Sequence, residues 1–84
     1  MSNPCSEKDL INYSKSKVIE YLRMEAIAPG ENRFRLWVKV NKIDKEFLLI
    51  TFHKKEARIW VSLDRATAHF RKTYHYAGRL YIDL

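Results

Sequence analysis

The stretch from Arg33 to Asn41 constrains this chain more than any other. Phe34, Leu36, Val38 and Val40 alternate with Arg33, Arg35, Trp37, Lys39 and Asn41. Successive side chains of a strand leave on opposite faces, so the spacing predicts one apolar face and one basic face that carries a tryptophan. Two further runs extend the pattern. Glu46 to His53 is apolar on both parities, with Phe47 and Leu49 on one and Leu48, Ile50 and Phe52 on the other. Such a strand is normally covered on both sides, which predicts a place in the middle of the sheet. Ala57 to Ser62 alternates Ala57, Ile59 and Val61 with Arg58, Trp60 and Ser62. Joined through Asn41–Lys45 and through His53–Glu56, the three runs read as an antiparallel meander.

Helical signals flank the meander. Ser6 is placed to cap a helix whose first turn holds Glu7 and Asp9. Leu10, Ser14, Val18, Tyr21 and Leu22 then share a face at helical spacing, up to a stop at Pro29-Gly30. A second helix is expected from Ser62 or Asp64 to about Thr73, with Leu63, Ala66, Phe70 and Tyr74 as its buried stripe. Arg79 to Leu84 reads as a short last strand. The expected fold is therefore α+β: helix, three-stranded antiparallel meander, helix, short C-terminal strand. Residues 1–6 are expected to be a flexible tail and residues 7–84 one small domain. The order of the first five elements is similar to that of a double-stranded-RNA-binding domain. The second helix departs from that family, having neither its glycine-rich approach nor its lysine cluster, so no function follows from the likeness.

Composition narrows the function classes. The chain has 84 residues, of which 46% are hydrophobic, enough for one core and against intrinsic disorder. The longest apolar run, Phe47 to Ile50, is too short to cross a bilayer, and the first residues lack a signal-peptide pattern. One cysteine, Cys5, makes no internal disulfide, so a reducing cytoplasm is the expected location. The net charge of +6 is unevenly placed. Residues 1–30 balance four Lys or Arg against four Asp or Glu, whereas residues 31–84 hold twelve against six. That asymmetry points to a polyanion or an acidic protein surface as partner.

The first candidate site is the basic, aromatic-bearing sheet face: Arg33, Arg35, Trp37, Lys39, Arg58 and Trp60, extended by Lys54 and Lys55 in the adjoining turn and by Arg65, Arg71 and Lys72 on the second helix. Cations neutralise phosphates and an exposed indole stacks on a base, at roughly 1–3 kcal/mol per contact. The competing reading places Trp37 and Trp60 on one face beneath a helix, as a second core layer with Phe47 and Leu49. A second candidate spans residues 69–79, where His69, Tyr74, His75 and Tyr76 lie among Arg71, Lys72 and Arg79. These are the residue types with which a small ribonuclease-type toxin moves protons and holds a phosphorane. No spacing matches a metal site, a glycine-rich phosphate loop or a nucleophile elbow, and no cofactor is implied. Three functions are thus expected in this order: a nonenzymatic nucleic-acid-binding (DNA or RNA) or regulatory protein, a protein-interaction module such as an inhibitor or adaptor, and a ribonuclease. The first strand, which has no proline to block its edge, also suits pairing with a second copy in a homodimer.

Overall fold

The computed structural model describes residues 3–84, an α+β fold of two helices and one mixed six-stranded sheet. Met1 and Ser2, part of the expected tail, lie outside the described residues. The rest of that tail is structured. Asn3–Cys5 forms β1, parallel to the strand Glu46–Leu49, and Cys5 is buried. Burial of the thiol and the ladder to Glu46–Leu49 are what hold this segment down, so the flexible-tail expectation is corrected from residue 3 onward. Ser6 is the N-cap of α1 (Glu7–Lys15): its hydroxyl accepts from the Asp9 N–H while the Asp9 carboxylate accepts from the Ser6 N–H, a reciprocal capping box.

The first helix is shorter than its hydrophobic spacing predicts. It ends at Ser16, Lys17 turns the chain at φ 57°, and Ile19–Ala26 is a strand, β2. Leu22 and Met24 are buried on one side of β2 while Arg23 and Glu25 lie on the other, a period of two that competes with the helical reading of Val18, Tyr21 and Leu22. Tertiary pairing decides between them. β2 finds partners on both sides, antiparallel to β3 (Phe34–Val40) and parallel to β6 (Leu80–Asp83). The expected order is altered from the first helix onward, since β2 stands where that helix was expected to continue.

β3 keeps the alternation its sequence predicts, with Phe34, Leu36, Val38 and Val40 buried. It is the central strand of the sheet, whose order is β1-β4-β3-β2-β6; the run after it, β4 (Glu46–Leu49), is interior as well, between β1 and β3. The expected third strand contracts to β5 (Ile59–Trp60), which pairs with β3 instead of continuing a meander beyond β4. β4 and β5 thus lie end to end along one side of β3. Residues 50–58 fold out between them as a small loop closed by the Ile50–Ala57 bridge, the Thr51 N–H to Glu56 carbonyl bond and the Arg58 N–H to Leu49 carbonyl bond. Phe52, at the loop's tip, is 82% exposed.

α2 (Leu63–Lys72) is capped by Ser62 and buries Ala66 and Phe70, with Tyr74 just beyond it. Leu10 of α1 joins them in a single apolar cluster with Leu22, Met24, Leu36, Val38 and Leu49. Both helices therefore cover the same face of the sheet, and the other face has no helix over it. Among the described residues, no helix is long and apolar enough to cross a membrane.

Candidate nucleic-acid interface

The register separates residues that the sequence pattern groups together. Phe34 lies opposite Trp60, so Trp60 points into the core, where it is 7% exposed and packs edge-on against Phe70. Trp37 lies opposite Leu48 and Arg23 on the uncovered face. The two tryptophans occupy opposite faces, so neither the shared stacking platform nor the shared second core is built. The reason is the β3–β4 register: Trp37 stands opposite Leu48, whereas Phe47 and Leu49 lie with Val38 and Trp60 on the core face.

The uncovered face is charged but balanced. Arg23 donates from Nε and Nη2 to both oxygens of Glu46, at 2.9 and 2.7 Å, and from Nη1 to Asp83 at 2.7 Å. Tyr21 donates to the same Glu46 at 2.8 Å. Arg35 and the Trp37 indole both donate to Glu25 Oε1, at 2.8 and 3.0 Å, and Lys39 reaches Glu20 at 3.3 Å. Arg23 pulls the Glu46 carboxyl below its usual range, and Glu46 in turn holds the Arg23 guanidinium more firmly protonated. Burial, together with the bond to Glu46, raises the Tyr21 hydroxyl. Three cations face four carboxylates here, so this lattice has no surplus positive charge to offer a polyanion. Arg33 is likewise engaged by Glu31 at 2.8 Å, in the β2–β3 connection.

Surplus positive charge lies elsewhere. Among the described residues, no ion pair involves Lys54 and Lys55 in the loop at 50–58, or Arg65, Arg71 and Lys72 on α2. Arg65, Arg71 and Lys72 are all exposed. At 1.5 Å per residue, Arg65 and Lys72 sit about 10 Å apart along the helix and within about 20° of one another around it. One groove, of about 280 Å³, is lined by Arg58, Ile59, Trp60, Val61, Ser62, Arg65 and His69. It lies at the N-terminal end of α2, where the first backbone N–H groups carry partial positive charge. Arg65, in that first turn, gains nothing from the macrodipole and has no carboxylate partner. Arg58 stacks on Trp60 at 4.5 Å and is held from behind by Glu7 at 2.7 Å. The groove lining contains no carboxylate. Two of its nitrogens, Trp60 Nε1 and His69 Nε2, are buried without a hydrogen-bond partner.

The residues of the second candidate are arranged for packing. His69 stands edge-on to Tyr74 at 4.8 Å between ring centres and 5.4 Å from Trp60. The Tyr74 hydroxyl is buried without a partner, and that burial, with the nearby Glu7 carboxylate, raises it well above the usual tyrosine range. Such a hydroxyl is a poor proton donor at neutral pH. His75 lies outside, in a left-handed turn at φ 56°. No three His, Cys, Asp or Glu side chains among the described residues cluster in a way that would hold a metal ion.

Of the residues singled out by sequence, then, Arg58, Trp60 and Arg65 are brought together, and Arg35, Trp37 and Lys39 form a different, neutralised group. The parts sequence reasoning missed are His69 as a wall of the groove and the neutralising set Glu20, Glu25, Glu46 and Asp83. The alternation Tyr21, Arg23, Glu25 was the available signal for the latter, hidden within a stretch that also fits a helix. Compared with known proteins, the chain matches no family model, no curated protein and no solved structure.

Proposed function

We propose that this protein is a nonenzymatic nucleic-acid-binding or regulatory protein that grips phosphates along α2 and in the groove at its N-terminal end. One observation carries the reading. Arg65 lines a groove with no carboxylate in its wall and, among the described residues, makes no ion pair, whereas the cations of the sheet face are matched by acids and Arg58, beside it, is shared with Glu7. A phosphodiester seated there meets two guanidiniums and the positive end of a helix. Ile59 and Val61, 40% and 70% exposed at the rim, offer apolar surface to a sugar or base. Lys72 continues the positive track along the same side of the helix, and Arg71 lies about 120° around from Arg65. Lys54 and Lys55 supply further charge from the loop at 50–58.

The test is the salt dependence of binding to a fluorescent single-stranded and a duplex oligonucleotide. Each phosphate neutralised contributes about −0.9 to the slope of log affinity against log salt on duplex DNA. Arg65→Ala with Lys72→Ala should flatten that slope by about 2. Arg35→Ala, on the neutralised face, should leave it unchanged. Absence of binding to either oligonucleotide at low salt refutes the proposal, and leaves an acidic protein surface as the partner to seek.

A further inference from the structure

The two edges of the sheet are built differently. At one edge stands β1, only three residues long. The Ile50 N–H donates to the Cys5 carbonyl, so the backbone of Cys5 faces β4 and that of Pro4 faces outward. Proline has no N–H to offer there, a common way of blunting an edge. At the other edge stands β6, with no such device. The Leu22 N–H donates to the Arg79 carbonyl, and Leu22 is in register with Leu80. In a parallel ladder this turns the N–H and C=O of Leu80 and Ile82 away from β2, toward the free side. Tyr81 and Ile82 are 46% and 43% exposed. The first strand of the sequence pattern, β3, is paired on both sides and is not available as an edge.

We propose that β6 pairs antiparallel with β6 of a second copy of this chain, across a two-fold axis at Tyr81. The sequence Arg79-Leu80-Tyr81-Ile82-Asp83 is complementary to itself when reversed about its centre. Leu80 of each copy then stands opposite Ile82 of the other, and these outward-facing residues exchange both backbone hydrogen bonds. Tyr81 meets its own copy as a non-hydrogen-bonded pair. Arg79 meets Asp83 at both ends, an opposite-charge cross-strand pair made twice. Among the described residues Arg79 makes no ion pair, and Asp83, although it holds Arg23 at 2.7 Å, remains 56% exposed and able to take a second cation. Faces match as well: Leu80 and Ile82 extend the core face, while Arg79, Tyr81 and Asp83 extend the uncovered one. A second copy is thus favoured over an unrelated strand by charge, by apolar pairing and by register together. The isologous contact closes on itself, so it gives a dimer and not a fibre.

Sedimentation equilibrium over a range of concentrations should show a monomer–dimer equilibrium. Tyr81→Cys should form an intermolecular disulfide on mild oxidation, because non-hydrogen-bonded partners sit about 4.5 Å apart at Cα, within disulfide reach. Ile82→Pro removes an outward N–H that the monomer does not use. Its circular dichroism should match wild type while the dimer is lost. Where that variant fails to fold, Arg79→Glu provides the same test from an exposed side chain, setting two carboxylates opposite each other at both ends and raising the dimer Kd about tenfold. A strictly monomeric wild type overturns the proposal. So does a dimer that survives both Ile82→Pro and Arg79→Glu, since its interface would lie elsewhere.

Discussion

Glu46→Gln separates the structural charges of this protein from the binding charges. Glu46 accepts three hydrogen bonds, two from Arg23 and one from Tyr21, with its side chain 24% exposed and that of Arg23 21% exposed. Hydrogen bonds to charged groups contribute about 1.5–3 kcal/mol each when fully buried. Three considerations reduce the loss: the partial exposure, the amide oxygen that still accepts, and the retention of Arg23 by Asp83 at 2.7 Å. The expected cost is therefore about 1–2 kcal/mol at neutral pH. For a chain of this length that lowers Tm by roughly 4–15 °C. Because the folded state depresses the Glu46 pKa, its contribution is complete above the ordinary carboxylate value of about 4.3 and is lost as pH falls through the lower folded value. Glutamine does not titrate there, so the gap between wild type and variant should close in acid. Urea unfolding at a series of pH values measures this. Equal stabilities at pH 7, or a gap that persists unchanged in acid, refute the account of the sheet lattice. The same variant adds one unit of positive charge to the uncovered face. If phosphates are held on α2, its oligonucleotide salt slope stays that of wild type; a steeper slope would place binding on the sheet.

Two further outcomes follow from the backbone and the core. Lys17 ends the first helix at φ 57°, a region costly to a residue with a Cβ, so Lys17→Gly should raise the urea midpoint by about 0.5 kcal/mol equivalent after the entropy lost to glycine; a lowered midpoint counts against the strain. Cys5 is buried and its thiol is pushed up to about 12, first by that burial and then by Asp9. It should therefore resist a thiol reagent at pH 8 until urea unfolds the chain, and rapid labelling of the native protein would contradict its place in the sheet.

What could be read in advance follows from where a local signal agreed with its surroundings. The alternation of Phe34 to Val40, the capping of α1 by Ser6 and the stripe Ala66, Phe70, Tyr74 all appear in the fold, because each pattern is satisfied by a single buried face. The connections Asn41–Lys45 and His53–Glu56 were legible, but the break at Lys17 was hidden. Lys17, Lys42, Lys55 and His75 hold the non-glycine left-handed positions, where glycine or asparagine would have announced a break. Without a visible stop at Lys17, the helical spacing of Val18 and Tyr21 ran on into what is a strand. Without a visible register between β3 and β4, Trp60 was grouped with Trp37 although it shares the face of Phe34 and Leu49. The charge asymmetry of residues 31–84 was legible, but its use was not. Whether an arginine serves a ligand or a neighbour depends on carboxylates such as Glu25 and Glu46, which only the sheet register brings within reach.

The parallel pairings of β1 with β4 and of β2 with β6 bear on how the chain reaches its fold. The antiparallel neighbours β2, β3 and β4 are consecutive, so their contacts close short loops, whereas Cys5 must find Leu49 and Leu22 must find Leu80 across most of the sequence. Loop closure of that length is slow relative to hairpin formation. The hairpins therefore assemble as an early kernel, and β1 and β6 arrive as late clasps on its two flanks. Until β6 arrives, the outer backbone of β2 is an open ladder with Leu22 and Met24 beside it. Misfolding of this protein would be expected to begin there, on the nascent flank that the last strand is meant to close.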